Sequence, residues 1–388
     1  MIPYGRQDVT EADIEAAVRV LRSDFLTQGP VVPRFEAAVC RCVGAKHAVA
    51  VNSATSALHI ACKALGLGPG DWLWTVPNTF VASANCGLYC GAQVDFVDID
   101  SLTWNMSIAQ LKGKLVAAKR AGKLPKIVVA VHFAGHPTDQ ESIWELAQEF
   151  GFKVLEDASH SIGASRNGAA VGNCRWSDIT VFSFHPVKII TSGEGGMALT
   201  NDEELAARME MLRSHGITRS PARLLQKAPA SWHYEQQLLG FNYRMTDIQA
   251  AVGLSQLQRL SQYVDRRNAL ARRYDLALGE LPLQLPIVQP GTRSAFHLYI
   301  VRVQPDWAGV KRARIFDELR SRGIGVNVHY MPVHLHPFYA QLGFSQGQFP
   351  ESEAYGRTAI TLPLYPRLTD EVQDRVLSAV AVALGNVG

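Results

Sequence analysis

The stretch DITVFSFHPVKIITSGEGGMAL, residues 178–199, decides the fold. Ile179 to Phe184 is a short run of β-branched and aromatic residues, and it reads as a strand buried on both faces. A second apolar strand follows the glycine-rich turn Gly193-Glu194-Gly195-Gly196. Between them stands Lys188. Lysine is strongly hydrated, so placing it after a buried strand costs free energy unless it is paired or loses its charge. One reading is a snorkelling lysine with a packed stem and a wet ammonium. The other is a Schiff-base lysine, made nucleophilic near neutral pH by a dry pocket.

Working outward, apolar runs of strand length recur at Ala48 to Val51, Leu73 to Val76, Val94 to Val97, Ile127 to Val131 and Lys153 to Leu155. Helical patterns lie between them, at Ser56 to Leu65, Val81 to Tyr89, Ile108 to Arg120 and Gln140 to Phe150. The last follows Thr138-Asp139, a plausible N-cap pair. Strands alternating with helices predict an α/β fold with a largely parallel sheet covered on both faces. In such sheets ligands bind beyond the carboxyl ends of the strands, so the residues just after each strand carry the functional information.

Two such positions matter. Glu156-Asp157 ends one strand, and a carboxylate there is expensive unless a cation meets it. A protonated pyridine nitrogen is such a cation, and an acidic partner makes the pyridoxal phosphate ring an effective electron sink. Asp157 alone reads equally as a helix cap or an ion-pair partner; with Lys188 the cofactor reading gains. Asn52-Ser53-Ala54-Thr55-Ser56-Ala57-Leu58 follows another strand and opens a helix, whose free amides and neighbouring hydroxyls suit a phosphate dianion. An ordinary N-cap explains the same residues. The sequence contains neither G-x-G-x-x-G nor G-x-x-x-x-G-K-[ST], so dinucleotide and P-loop readings lose their main support.

Beyond residue 240 the pattern changes. From Thr246 to about Leu281 it is helical, suggesting one long connecting helix. A strand (His297 to Val303), a helix (Val310 to Arg322), a short strand (Gly325 to His329) and a final helix from Asp370 then make a small α+β domain. The expected division is 1–260, an N-terminal arm and a large domain, and 261–388, the connecting helix and the small domain. Thr10 and Asp13 form a capping-box-like pair, and the helix they open is expected to lie across the second domain or a partner subunit.

Composition narrows the class. The 388 residues carry 38 Lys and Arg against 35 Asp and Glu, a net charge of +3. No basic cluster is long enough for nucleic acid; Arg266-Arg267 with Arg272-Arg273 reads as a solvated helix face. The start of the chain lacks the apolar core of a signal peptide, and no run reaches the ~18 apolar residues of a membrane span. Cys40, Cys42, Cys62, Cys86, Cys90 and Cys174 have no zinc-ligand spacing, and reduced cysteines in a cytoplasmic protein are expected. His329, His334 and His336 lack a neighbouring carboxylate or cysteine, so no metal is expected. Trp72, Trp74 and Trp104 read as packing residues.

The run Ser183-Phe184-His185-Pro186-Val187-Lys188 with Gly193-Glu194-Gly195-Gly196 resembles the lysine signature of the pyridoxal-phosphate-dependent sugar aminotransferases of the DegT/DnrJ/EryC1/StrS group. The resemblance extends through Leu26-Thr27-Gln28-Gly29-Pro30, Asn52 to Leu58, Asn78-Thr79-Phe80-Val81-Ala82, Glu156-Asp157, Leu212 to Gly216, Asn242-Tyr243-Arg244-Met245 and Val328-His329-Tyr330. Within the group, Ile2 to Gln7 and Asn78 to Tyr89 are most similar to the branch that makes UDP-4-amino-4,6-dideoxy-N-acetyl-β-L-altrosamine for pseudaminic acid. The resemblance implies fold type I: a large, mostly parallel seven-stranded sheet domain with a smaller C-terminal α+β domain. It implies that Lys188 holds the cofactor, Asp157 meets the ring nitrogen, His160 lies beside the ring and Phe80 stacks on it. Ala54, Thr55 and Ser183 would hold the phosphate, with Asn242 from the neighbouring subunit of a homodimer. Tyr4, Asp24, Phe25, Leu26, Thr27, Asn327, Val328, His329 and Tyr330 would contact a UDP-linked 4-keto-6-deoxy sugar, with L-glutamate as amino donor. Some relatives stack a Trp at the Phe80 position, and relatives with His in place of the lysine are dehydratases; Lys188 argues against that chemistry. Arg213 and Arg244 are weaker candidates for anion contacts. A 3-keto substrate is an alternative, and from another class, a cofactor-binding regulator without turnover.

Overall fold

The computed structural model describes residues 1–304 and 312–385. Its centre is a seven-stranded sheet in the order His47–Val51, Gly196–Thr200, Ile179–Ser183, Lys153–Asp157, Ile127–Val131, Trp72–Thr75, Gln93–Phe96. Gly196–Thr200 runs antiparallel to both neighbours, whereas the other adjacent pairs are parallel. Each expected strand of this sheet is present, its ends shifted by at most two residues. The pleat sends alternate residues to separate cores. Val49, Val181 and Ala198 join one, while Ala50, Phe182 and Met197 join the other. Burial of both faces explains why these strands read as continuous apolar runs.

The 246–281 stretch is two helices, Asp247–Leu257 and Leu260–Leu278, interrupted at Gln258-Arg259. The break turns Arg259 onto Asp13, with Nη2 lying 2.6 Å from Oδ2. Asp13 also accepts from the Thr10 amide at 2.9 Å, so the expected capping pair forms. The Glu11–Leu21 helix therefore packs on Asp247–Leu257 within the chain rather than across the small domain. Leu260–Leu278 starts in the core beneath the large sheet and ends in a third core, around Tyr299–Val303 and Ala359–Leu362.

In the C-terminal part, the helix expected over 310–322 is described from Arg312 to Ser321; Val310 and Lys311 lie outside the described residues. The strand expected over 325–329 is only Ile324–Gly325, which pairs in parallel with Ile2–Pro3. That pairing brings the N-terminal arm, and Tyr4 at its end, to the carboxyl side of the large sheet. Among the described residues no helix is long and apolar enough to cross a membrane.

Candidate active site

Beyond the carboxyl ends of the central strands lies a cavity of about 870 Å³. Its floor follows from the strand register. Gly196 pairs with Ser183, so residues 184–195 leave the sheet and return to the same point. Within that excursion the Lys188 amide donates to the His185 carbonyl at 2.9 Å, a tight turn that presents the side chain to the cavity. Desolvation pushes the Lys188 ammonium down to about 8, and the nearby Asp157 carboxylate only partly opposes it. An amine in that range is largely protonated at neutral pH and close enough to deprotonation to act as nucleophile and base.

Asp157 ends the Lys153–Asp157 strand facing the cavity, whereas Glu156 beside it points to the opposite face. Glu156 is absorbed by structure: it accepts from Thr180 at 2.6 Å and Ser177 at 3.2 Å, and His132 lies 3.5 Å away. Asp157 is held by two donors, the Ser83 hydroxyl at 2.6 Å on Oδ2 and the Ser159 amide at 3.1 Å on Oδ1. Thr79 bonds Ser83 in turn at 2.7 Å, linking the carboxylate to the loop that carries Phe80.

The Asn52–Ser56 turn forms the second wall. The Ser53 hydroxyl accepts from the Ser56 amide at 3.1 Å, capping the Ala54–Ala64 helix. The first-turn amides of Ala54 and Thr55 have no intrahelical acceptor and lie at the cavity edge, with Ser183 near them. Gly196 lets this helix start close to the sheet: a Cβ there would sit 2.5 Å from backbone atoms of Ser53 and Ala54. Gly196→Ala should therefore lower stability by about 1–3 kcal/mol, the usual result of overpacking. Denaturant unfolding would measure this, and an unchanged midpoint would show that the helix can retreat without loss.

The third wall is polar and aromatic apart from Val328: Tyr4, Asn327, His329 and Tyr330, with the exposed Phe80 ring 6.0 Å from Tyr330. His160 is buried; its Nε2 and the Tyr330 hydroxyl are hydrogen-bonded at 3.2 Å, while its Nδ1 has no protein partner. Burial first, then the charge of Lys188, hold the His160 pKa well below its ordinary value. Burial likewise lowers His329 to about 3, so both imidazoles are neutral at physiological pH.

Twelve of the residues singled out in the sequence thus line one cavity: Tyr4, Ala54, Thr55, Phe80, Asp157, His160, Ser183, Lys188, Asn327, Val328, His329 and Tyr330. Asp24, Phe25, Leu26, Thr27 and Asn242 are not among its lining residues. Asp24 and Phe25 line a separate surface groove; Leu26 accepts from the Asp247 amide, Thr27 pairs with Thr246, and Asn242 pairs with Ser214. Arg213 is occupied by Glu36, and Arg244 donates to Ser214 at 3.0 Å. His334 faces Glu353 at 3.1 Å, and among the described residues no group of three or more His, Cys, Asp or Glu is placed to hold a metal. The sequence reading missed Ser83, His297, Glu194 and Gln249. Ser83 falls one helical turn after Thr79 at the start of a helix, a spacing that could have found it.

The donor set suits one kind of group: an aromatic phosphate carrying an aldehyde. A desolvated amine awaits the carbonyl, a carboxylate held by two donors awaits a ring cation, and helix amides await the phosphate. The unpartnered Nδ1 of His160 leaves a buried polar atom beside that space.

Comparison with known proteins agrees. Residues 7–381 match the model of the DegT/DnrJ/EryC1/StrS aminotransferase family. The spore coat polysaccharide biosynthesis protein SpsC of Bacillus subtilis is 39% identical over 382 residues, 98% of this chain and 96% of its own length. Helicobacter pylori PseC, described as an aminotransferase involved in the biosynthesis of pseudoaminic acid, superposes with a TM-score of 0.90 at 31% identity over 99% of both chains. The putative sugar aminotransferase Spr1654 of Streptococcus pneumoniae, in a form holding pyridoxamine phosphate, gives a TM-score of 0.90 at 30% identity over all of both chains. The chain belongs to the DegT/DnrJ/EryC1/StrS aminotransferase family, and is a fold type I sugar aminotransferase that works with pyridoxal phosphate.

Proposed function

We propose that this enzyme transfers the amino group of L-glutamate to C4 of UDP-2-acetamido-2,6-dideoxy-β-L-arabino-hex-4-ulose, giving UDP-4-amino-4,6-dideoxy-N-acetyl-β-L-altrosamine. The observation that carries this reading is the wall facing Lys188: Tyr4, Asn327, His329 and Tyr330 are polar and uncharged. They suit the hydroxyl, carbonyl and amide groups of an acetamido sugar. The likeness to PseC supports the pseudaminic acid branch. The reading is of a cytoplasmic homodimer, each site completed by Asn242 of the neighbouring subunit. Six unpaired cysteines fit a reducing compartment.

Bound pyridoxal phosphate supplies the electron sink for the carbon that loses its proton, and carries the amino group from donor to acceptor. The rest is the work of side chains. Lys188 would hold the cofactor covalently, and its amine, once free, would take the proton from the donor Cα. With the ketosugar in place, the same amine delivers a proton to C4. Asp157 would keep a proton on the ring nitrogen, the Ala54 and Thr55 amides with Ser183 would hold the phosphate, and Phe80 would cover the ring. His160, being neutral, adds no second cation beside Lys188. Release of 2-oxoglutarate before the sugar binds makes the scheme ping-pong.

One consequence is a pH dependence. Only the free amine attacks a carbonyl, and Lys188 has been lowered to about 8. Uptake of pyridoxal phosphate by the cofactor-free protein should therefore accelerate close to tenfold per pH unit below that value, and level above it. Stopped-flow absorbance would measure this; a rate still climbing steeply at pH ~10, the region of an unperturbed lysine, would overturn the assignment.

The substrate test is product NMR after incubation with L-glutamate and UDP- or dTDP-linked 4-keto and 3-keto deoxysugars. Amination of the UDP 4-keto sugar with the stated C4 configuration supports the proposal. Preference for a dTDP-linked or 3-keto sugar would move the enzyme to another branch of the family.

A further inference from the structure

His297 was read from the sequence as the first residue of a strand; the structure puts it elsewhere. The strand begins at Tyr299, and His297 lines the cavity. Its ring lies 4.4 Å from that of His160, centroid to centroid, and Tyr330 stacks on His160 at 6.2 Å with the planes 23° apart. His160 thus has an aromatic neighbour in both residues. The backbone presenting His297 is strained: Phe296, just before it, has φ 43°, a left-handed conformation that β-carbon sterics disfavour.

What holds that turn is a buried cation. Arg267, only 1% exposed, projects from the Leu260–Leu278 helix and has no carboxylate within ion-pair distance among the described residues. Its Nη1 donates to the carbonyls of Phe296 and His297, both at 3.2 Å, and of Leu364 at 2.9 Å. The Ser294 hydroxyl accepts from the Phe296 amide at 3.1 Å on the other side. A buried unpaired guanidinium is costly, and here it is spent on fixing three carbonyls. Two of them belong to the strained turn.

We propose that His297 and Arg267 are positioning residues of this aminotransferase: Arg267 locks the 296–297 turn, and the turn presses the His297 ring against His160 so that His160 keeps one orientation beside the cofactor. This rests on the functional reading above, with His160 next to the ring. Neither residue needs to touch the cofactor. The role asked of His297 is that of a packed ring, and the role of Arg267 is that of a donor to backbone oxygen.

The test uses the cofactor-bound enzyme with His297→Ala, His297→Phe and Arg267→Met. His297→Ala should lower kcat about 10- to 100-fold with KM for glutamate changed less than threefold, as expected when orientation rather than binding is lost. Its visible circular dichroism, which reports the asymmetric surroundings of the cofactor, should fall by more than half. His297→Phe refills the space and should restore both readouts to within threefold of the parent. Arg267→Met should reproduce the loss of dichroism from outside the cavity; if it does not fold, the two His297 variants still decide the matter. The idea is overturned if His297→Ala keeps kcat and dichroism within twofold, or if Phe is as damaging as Ala. If the parent enzyme aminates no sugar, the functional reading fails, while the dichroism of the His297 pair still tests this one.

Discussion

Lys188→Ala should abolish turnover, with a loss on the order of 10⁴-fold or more, and with it the visible absorbance that accompanies covalent attachment of the cofactor. Loss of a general base alone costs about 10²–10⁴-fold. On the proposed reading the same amine also forms the covalent link, so two effects combine in one residue. The variant should still fold, because removing a desolvated amine relieves the burial that depresses its pKa to about 8. Far-UV circular dichroism would report the fold, and absorbance after addition of pyridoxal phosphate would report attachment. Borohydride reduction that still fixes the cofactor to the Ala variant would transfer the role to another amine.

Asp157→Asn should lower turnover about 10²–10³-fold, the scale seen when one preorganised electrostatic partner is removed. The substitution is nearly isosteric, and its geometry is protected: the Ser159 amide still finds an acceptor, and the Ser83 hydroxyl can turn to accept from the new amide group. On the proposed reading, what disappears is the negative charge that would keep a proton on the ring nitrogen. The loss should fall on both half-reactions, with glutamate and with ketosugar, because each passes negative charge into the ring. Single-turnover absorbance with each substrate separates them, and near-normal rates in either would count against the role. Cofactor retention should change little, since on the proposed reading the other wall holds the phosphate end.

How much of this was legible in the sequence differs from feature to feature. The sheet was, because strands buried on both faces need unbroken apolar runs, and those are local. Lys188, Asp157 and the Asn52–Ser56 turn were legible for a related reason: each lies at or just beyond the carboxyl end of a strand, where the fold class itself puts ligands. The break at Gln258-Arg259 was not, since the apolar spacing runs on across it and only the contact of Arg259 with Asp13, 246 residues away, marks it. Tyr4 reaches the cavity through pairing of Ile2–Pro3 with Ile324–Gly325, a register no local pattern specifies. The resemblance to the family, not the chemistry of the residue, pointed to it. Arg267 reads as part of a solvated helix face but lies on the buried one: from Leu260 to Leu278 one face of that helix is buried, and charge alone does not say which arginine falls on it.

Glu156 and Asp157, neighbours facing opposite sides of one strand, make that strand intolerant of any change in length. Delete one residue between Lys153 and Glu156 while the preceding helix stays in place, and Asp157 moves to the side lined by His132 and Thr180. Ala158 then faces the cavity. Both carboxylates would remain in the chain and the sheet could still form, yet on the proposed reading the pyridine nitrogen would meet a methyl group. In this segment a substitution can be graded by its chemistry, whereas a deletion acts as an all-or-none fault in reading frame at the level of the pleat.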